Sequence, residues 1–97
     1  MELVENARTQ LEPLIVGVLD SLDEQVQVIE TSFFTLVLIQ LRQMAEDADL
    51  MNLFLELSTT AFQGFVFSES QLRLIDEVLA TAEYIAFALT AEPDSAH

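Results

Sequence analysis

Carboxylates are the most abundant reactive groups in this chain of 97 residues, in which seventeen aspartates and glutamates face three arginines and no lysine. Two carboxylates held at a set separation can act as acid and base in hydrolysis. At this density, however, neighbouring acids arise by chance and indicate no cleft. There is no cysteine, and the single histidine, His97, lies in a segment that we expect to be disordered, so no base is placed to activate a serine. We therefore predict that the protein is not an enzyme.

Asp47 and Asp49, separated by Ala48, begin like a calcium-binding loop. In such a loop the fifth position supplies an oxygen ligand and the sixth is a glycine that permits a sharp turn. Here those positions hold Met51 and Asn52. We therefore predict no metal and no cofactor, and we interpret the acids as a corner that caps the following helix.

A second motif, Asp-Ser-Leu-Asp at positions 20–23, resembles the Asp-Ser-Leu motif of acyl and peptidyl carrier proteins, which are also small, acidic and all-helical. The resemblance implies that Ser21 would carry a phosphopantetheine arm at the start of the second helix. Gln25 and Gln27 depart from the pattern, because that helix is usually apolar there. A helix junction is the preferred interpretation, and a carrier or apolar-ligand-binding protein is the alternative.

The net charge of −14 limits the classes of partner that the chain can bind. It repels phosphate and anionic lipid, so we predict no nucleic-acid and no membrane partner, and it favours a partner with basic residues. The few cations are expected to pair along their own helices. These pairs would join Arg42 to Glu46, and Arg73 to Asp76 or Glu77.

Three features of the sequence favour a cytoplasmic location. A chain without cysteine fits a reducing compartment. The first residues include acids where a secretory signal carries positive charge. The longest apolar run, residues 33–41, is about half as long as a helix that crosses a bilayer.

Apolar residues recur at helical spacing along most of the chain, so the sequence predicts an all-α fold, a small bundle of three or four helices. The first helix is predicted over about 9–19, with Thr9 and Glu12 as a capping box and Pro13 in its first turn. A long helix is predicted over about 21–45. It either continues the first helix or is separated from it by the polar residues at 20–21.

The region after the long helix is predicted to contain a corner, a third helix and an extended linker. The corner is 46–49, where Asp47 or Asp49 caps the helix that follows. Gly64 is a natural residue to end that helix, because glycine tolerates the left-handed conformation found there. The linker is 65–67, whose phenylalanines are expected to reach into the core.

The last helix has the clearest pattern. Ser68 or Ser70 is predicted to cap it, with Gln71 three residues after Ser68. Its apolar stripe comprises Leu72, Ile75, Val78, Leu79, Ala82, Ile85, Ala86 and Leu89. The sequence thus predicts one helical domain over 1–92 and a disordered tail over 93–97.

The run from Phe33 to Leu41 is apolar on nearly every side, and a domain of this length has little surface with which to cover it. We therefore predict that the long central helix, Val26–Met44, forms a homodimer. The predicted interaction residues, for the dimer or another partner, are Val26, Ile29, Phe33, Leu36, Val37, Gln40, Met44, Phe54, Phe65 and Phe67.

These observations lead to a functional hypothesis. The chain is predicted to be a non-enzymatic, acidic protein-interaction module that acts as an inhibitor, anti-activator or chaperone-like adaptor by occluding a partner protein. The partner would present an amphipathic helix with a basic rim to an apolar groove. The alternatives are the carrier or apolar-ligand protein, and a structural subunit of a larger complex.

Overall fold

Four α-helices account for most of the described chain, which comprises residues 2–58 and 64–90 of a computed structural model. They are α1 (Glu2–Ser21), α2 (Val28–Gln43), α3 (Asp47–Ser58) and α4 (Glu69–Thr90). No strand occurs within these two ranges. The predicted all-α helical bundle is therefore confirmed.

The helices pack around α1. It lies along α4 and α2, and α3 packs against α2, α4 and, more lightly, α1. Among the described residues α2 and α4 do not pack against each other, so α2 keeps a side that faces solvent. The core comprises Val4, Ala7, Leu11, Ile15, Val18, Leu22, Phe34, Val37, Leu41, Met44, Leu50, Leu53, Phe54, Leu57, Ile75, Val78, Ala82 and Ile85.

The first helix is longer than predicted, because it begins at Glu2 rather than near Thr9. Thr9 and Glu12 therefore do not form a capping box, and Pro13 lies in the helix interior, where it supplies no backbone N–H to the ladder. The apolar stripe explains the extension, since it starts well before Thr9 and is buried throughout. Its members are Val4, Ala7, Leu11, Ile15 and Val18.

The predicted long helix over 21–45 is wrong, because α2 has only 16 residues and the chain between Leu22 and Gln27 is not helical. Asp23 organises this break. Its carboxylate accepts a hydrogen bond from the Gln25 backbone N–H at 3.0 Å, and its carbonyl accepts from the Gln27 N–H at 2.6 Å. Such local bonds compete with the helical ladder. The first two helices are therefore separate.

Asp49 is the third residue of α3 and holds the corner before the helix, so it is not the N-cap that the sequence predicts. Its carboxylate accepts hydrogen bonds from the backbone N–H groups of Ala45 and Glu46, at 3.0 and 3.1 Å. Downstream, Gly64 adopts φ +74°, a left-handed conformation that glycine tolerates. Residues 59–63, between the end of α3 and this glycine, lie outside the described residues.

The predicted capping box of α4 is confirmed with Ser68 as the cap. The Gln71 backbone N–H donates to Ser68 Oγ at 3.2 Å, and the Ser68 N–H donates to Gln71 Oε1 at 2.9 Å. In the apolar stripe, Leu72 proves to be 45% exposed. The side chain of Leu89 and the predicted tail over 93–97 lie outside the described residues.

Two arginines bind across the bundle. Arg42 pairs with Glu12 of α1, with Nη2 and Nε of the guanidinium 2.9 and 3.1 Å from the same carboxylate oxygen, so the prediction of Glu46 as its partner is wrong. Arg8 of α1 donates to the carbonyls of Leu41 and Met44, at 3.2 and 2.5 Å. It thereby supplies positive charge to the C-terminal end of α2, which carries partial negative charge.

Arg73 forms no ion pair with Asp76, Glu77 or any other residue of the described ranges, so its predicted pairing is also wrong. Exposed pairs along one helix contribute only about 0.3–0.5 kcal/mol, because the entropy of ordering two long side chains offsets most of their attraction. The pairing of Arg42 with α1 instead links two helices.

Candidate interaction surfaces

The outer side of α2 exposes four aliphatic side chains, Val28, Ile29, Leu36 and Ile39, which we call the α2 face. Each is between 43% and 67% exposed. They share one side of the helix. Ile29 and Leu36 are seven residues apart, which is about two turns, and Val28 and Ile39 are eleven apart, which is about three turns. The opposite side is buried through Glu30, Phe34, Val37 and Leu41.

The α2 face carries no charge. Between Val28 and Gln43 the only acid is Glu30, which is buried and accepts a hydrogen bond from the Val66 N–H at 2.8 Å. The only base is Arg42, which pairs with Glu12 on the side that faces α1. The polar residues among the aliphatic ones are uncharged: Ser32, Gln40 and Gln43. On a chain of net charge −14, this neutral surface stands out from its surroundings.

A second surface is an apolar groove between α3 and α4 with a volume of about 420 Å³. We call it the α3–α4 groove. Its volume falls within the range of about 300–1,000 Å³ that is typical of small-molecule pockets. The described residues that line it are Met51, Phe54, Leu55, Leu57 and Ser58 of α3 and Leu79, Ala82, Glu83 and Ala86 of α4.

A third, more polar depression of about 660 Å³ lies between the C-terminal end of α2 and α3. Asp49 lies in its wall, but the carboxylate already accepts two backbone hydrogen bonds, which hold its pKa below the ordinary value of 3.8. Leu55 forms the ridge between this depression and the α3–α4 groove, because it lines both.

Four phenylalanines form a cluster where α2 meets the linker before α4. Phe33 lies edge-on to Phe34 and Phe65, with ring centroids 5.1 and 5.2 Å apart, and Phe67 lies 6.2 Å from Phe34 and 5.9 Å from Phe65. Edge-on contacts of this kind stabilise beyond the burial of area. The linker over 65–67 is non-helical, as predicted. Phe67 packs against the core as expected, whereas Phe65 is partly buried against Phe33 and Phe67.

The ten predicted interaction residues are distributed over several places. Val37, Met44 and Phe54 are buried in the bundle core, so the chain's own helices already occupy their side chains. Phe33, Phe65 and Phe67 belong to the phenylalanine cluster. Only four of the ten are exposed: Val26, Ile29, Leu36 and Gln40.

Several exposed apolar residues lie outside the set that the sequence predicts to interact. Val28 and Ile39 complete the α2 face, and Met51 and Leu55 line the α3–α4 groove. The scarcity of charged residues over 28–41, where Glu30 is the only one, could have identified the first pair. No comparable pattern in the sequence identifies Met51 and Leu55 as exposed, because a wide apolar face on a helix does not indicate which other helices cover it.

Ser21 does not lie where the carrier resemblance implies. It is the last residue of α1 rather than the start of a second helix, and its hydroxyl donates to the Val18 carbonyl at 2.7 Å. Within the described ranges, no cluster of three or more histidine, cysteine or acidic side chains could hold a metal ion. No described helix is long and apolar enough to cross a membrane.

No protein-family model, curated protein or solved structure matches the chain.

Proposed function

We propose that this protein is a non-enzymatic, acidic interaction module that self-associates through the α2 face and binds and occludes a partner protein. It would act as an inhibitor, an anti-activator or a chaperone-like adaptor. A cytoplasmic location belongs to the same proposal, since a chain without cysteine fits a reducing compartment.

The observation that carries the proposal is the neutral, aliphatic α2 face. Exposed apolar surface on an otherwise charged protein is typical of an interaction site. Two copies of a chain with net charge −14 repel each other, and the repulsion is weakest where the contact contains no carboxylate. The α2 face meets that requirement. Because it is one helix wide, we expect a dimer that forms at micromolar rather than nanomolar concentration.

The test is the oligomeric state of a Leu36→Asp variant. Leu36 is 58% exposed, so an aspartate there remains hydrated in the monomer but would be desolvated in the dimer. We expect the unaltered protein to have twice the chain mass of 10.9 kDa by sedimentation equilibrium at high concentration. The variant should have the monomer mass and the same helix content by circular dichroism.

Tyr84→Asp is the matched control, because Tyr84 is 70% exposed on α4 and lies outside the α2 face. This variant should dimerise like the unaltered protein. A monomer at every concentration, or equal dimerisation of the Leu36→Asp variant, would contradict self-association through α2. Aggregation of the unaltered chain in isolation would favour a structural subunit of a larger complex.

A second candidate function is the binding of a small apolar ligand, which the volume and lining of the α3–α4 groove favour. Such a ligand would be neutral or cationic, because Glu83 lies in the wall. The carrier alternative is separate from this groove, because it requires a phosphopantetheine arm attached covalently to Ser21. Mass spectrometry of the protein isolated from its host would detect this arm as an added mass of about 340 Da, because a carrier holds its cofactor covalently.

A further inference from the structure

We propose that the α3–α4 groove is the site for the partner protein, and that it takes an amphipathic helix with an apolar face and a basic rim. This inference rests on the proposed interaction function and adds to it a place on the molecule and a chemistry for the partner. It uses a surface distinct from the α2 face.

The floor of the groove is apolar and its walls are helices. Met51 and Leu55 of α3 are exposed at one wall, and Leu79 and Ala86 of α4 form the other. A third helix packs naturally into the furrow between two others, with its own side chains entering the space between theirs. The groove therefore suits a helical occupant better than an extended strand, which would need an exposed backbone edge to pair with.

The length of the groove matches a short helical face. Among the described residues, its lining runs from Met51 to Ser58 on α3 and from Leu79 to Ala86 on α4. Each stretch spans two helical turns, or about 10 Å. A helix that presents apolar residues at positions i, i+4 and i+7 also spans about 10 Å, so three anchors fit along the groove.

The charges at the groove determine the sign of the occupant's rim. Glu83 lies in the α4 wall, and Asp76, two turns earlier on the same side of α4, is exposed. No arginine lines the groove among the described residues. A second copy of this chain also has a net charge of −14, so long-range repulsion disfavours it as the occupant of a groove with an acidic wall. A partner with lysine or arginine flanking its apolar face would instead form favourable pairs there.

The experiment uses the full chain and two designed, fluorescently labelled peptides of about 14 residues, four helical turns each. Both carry leucines at i, i+4 and i+7; one has lysines along both edges of this face and the other has glutamates. We expect saturable binding of the lysine peptide by fluorescence anisotropy. The glutamate peptide should bind at least about tenfold more weakly, because its carboxylates meet those of the groove.

Variants locate the bound peptide. Met51→Gln and Leu55→Gln replace exposed side chains in the groove wall and should each weaken binding of the lysine peptide about tenfold, as loss of a central apolar anchor does. Glu83→Gln should weaken it about twofold to fivefold and reduce its salt dependence. Leu36→Gln, on the α2 face, should leave the affinity unchanged. Circular dichroism and the melting temperature establish that each variant is folded.

Several results would overturn the inference. They are the absence of saturable binding, equal affinity for the two peptides, and unchanged affinity after both Met51→Gln and Leu55→Gln. Conversion of the dimer to a monomer by Leu55→Gln would assign the groove to a second copy. An uncharged apolar dye that saturates the groove without competition from the lysine peptide would assign it to a small ligand.

The two proposals fail separately. If Leu36→Asp remains dimeric while the lysine peptide binds with the predicted variant pattern, self-association through α2 is wrong and the groove inference stands. If Leu36→Asp is monomeric and no peptide binds, the groove inference is wrong and the α2 proposal stands.

Discussion

Gln71 connects three segments that are distant in sequence. Its amide nitrogen donates to the Ser21 carbonyl at 2.7 Å, and its oxygen accepts from the Ser68 N–H within the capping box of α4. It also exchanges hydrogen bonds with the side-chain amide of Gln27, which in turn donates to the Val66 carbonyl at 2.9 Å. Gln71 is 7% exposed, so these bonds form largely away from water. A single side chain thus holds the end of α1, the start of α2 and the start of α4 together.

Replacing Gln71 with alanine should therefore lower the free energy of unfolding by about 2–3 kcal/mol, because it leaves buried partners without hydrogen bonds. Urea denaturation followed by circular dichroism measures this difference. Gln25→Ala, at an exposed position of the same loop, is the control and should change stability by less than about 0.5 kcal/mol. Equal effects of the two substitutions would contradict the role assigned to Gln71.

Asp49 should give stability a dependence on acid pH. Hydrogen bonds from the Ala45 and Glu46 backbones hold its pKa below 3.8, so the folded state binds this proton less readily than the unfolded state. The contribution is fully present above pH 3.8 and is lost as the pH falls through the folded pKa. We expect Asp49→Ala to lower the melting temperature at pH 7 and pH 5 equally, and to differ less from the unaltered protein below pH 3.8.

Asp47→Ala is the comparison for this experiment, since the Asp47 carboxylate accepts no hydrogen bond among the described residues. It should lower the melting temperature less than Asp49→Ala at neutral pH, because it loses only the attraction of the helix terminus. A difference between Asp49→Ala and the unaltered protein that grows towards low pH would show that the ionised carboxylate does not stabilise the corner before α3.

Among the helices, α1 tolerates two residues that disfavour a helix. Pro13 and Gly17 both lie in its interior, yet it runs without interruption for 20 residues. Its buried side chains face α4 and α2 along most of this length, and such packing contributes more than local preference does. α1 is therefore a helix that tertiary contacts maintain, which is why the local pattern around Pro13 indicates a later start than Glu2.

Gly17→Ala should stabilise the protein by about 0.5–1 kcal/mol. An added Cβ at Gly17 has no atom within 4 Å, so the substitution removes the entropic disadvantage of glycine without a clash. Gly64→Ala is the matched contrast, because Gly64 has equal space but φ +74°. This variant should lose about 1 kcal/mol or more, since alanine is strained in that conformation. The same sign for both variants in urea denaturation would contradict this interpretation.

At the level of the whole molecule, charge should act in opposite directions on the two proposed interactions. Raising the salt concentration from about 0.01 M to about 0.15 M shortens the screening length from about 30 Å to about 8 Å. Dimerisation of chains with net charge −14 should strengthen, because screening reduces their repulsion. Binding of the lysine-rimmed peptide should weaken, because screening reduces its attraction to the groove.

Sedimentation equilibrium and fluorescence anisotropy in the same two buffers measure these trends. The Leu36→Asp variant provides the peptide affinity without the contribution of dimerisation. Salt effects of the same sign on both interactions would contradict the division of the surface into a neutral α2 face and an apolar groove with an acidic wall.

Local sequence determined the all-α class and several helix ends, because these depend on groups only a few residues apart. The capping box of Ser68 and Gln71 and the hydrogen bonds from the corner backbone to Asp49 are of this kind. Their hydrogen bonds close within one turn, and the residue types needed for them can be read directly from the chain.

Tertiary structure alone decided which helix faces remain exposed and which charged side chains form ion pairs. Arg42 has an acid four residues away, yet it pairs with Glu12 because packing brings α1 alongside α2. The run over 33–41 looks apolar on every side, but α1, α3 and the phenylalanine cluster cover only part of it, which leaves Leu36 and Ile39 in solvent. Contacts over such distances depend on how whole helices share the limited apolar surface of a small domain, and no short segment of sequence contains that information.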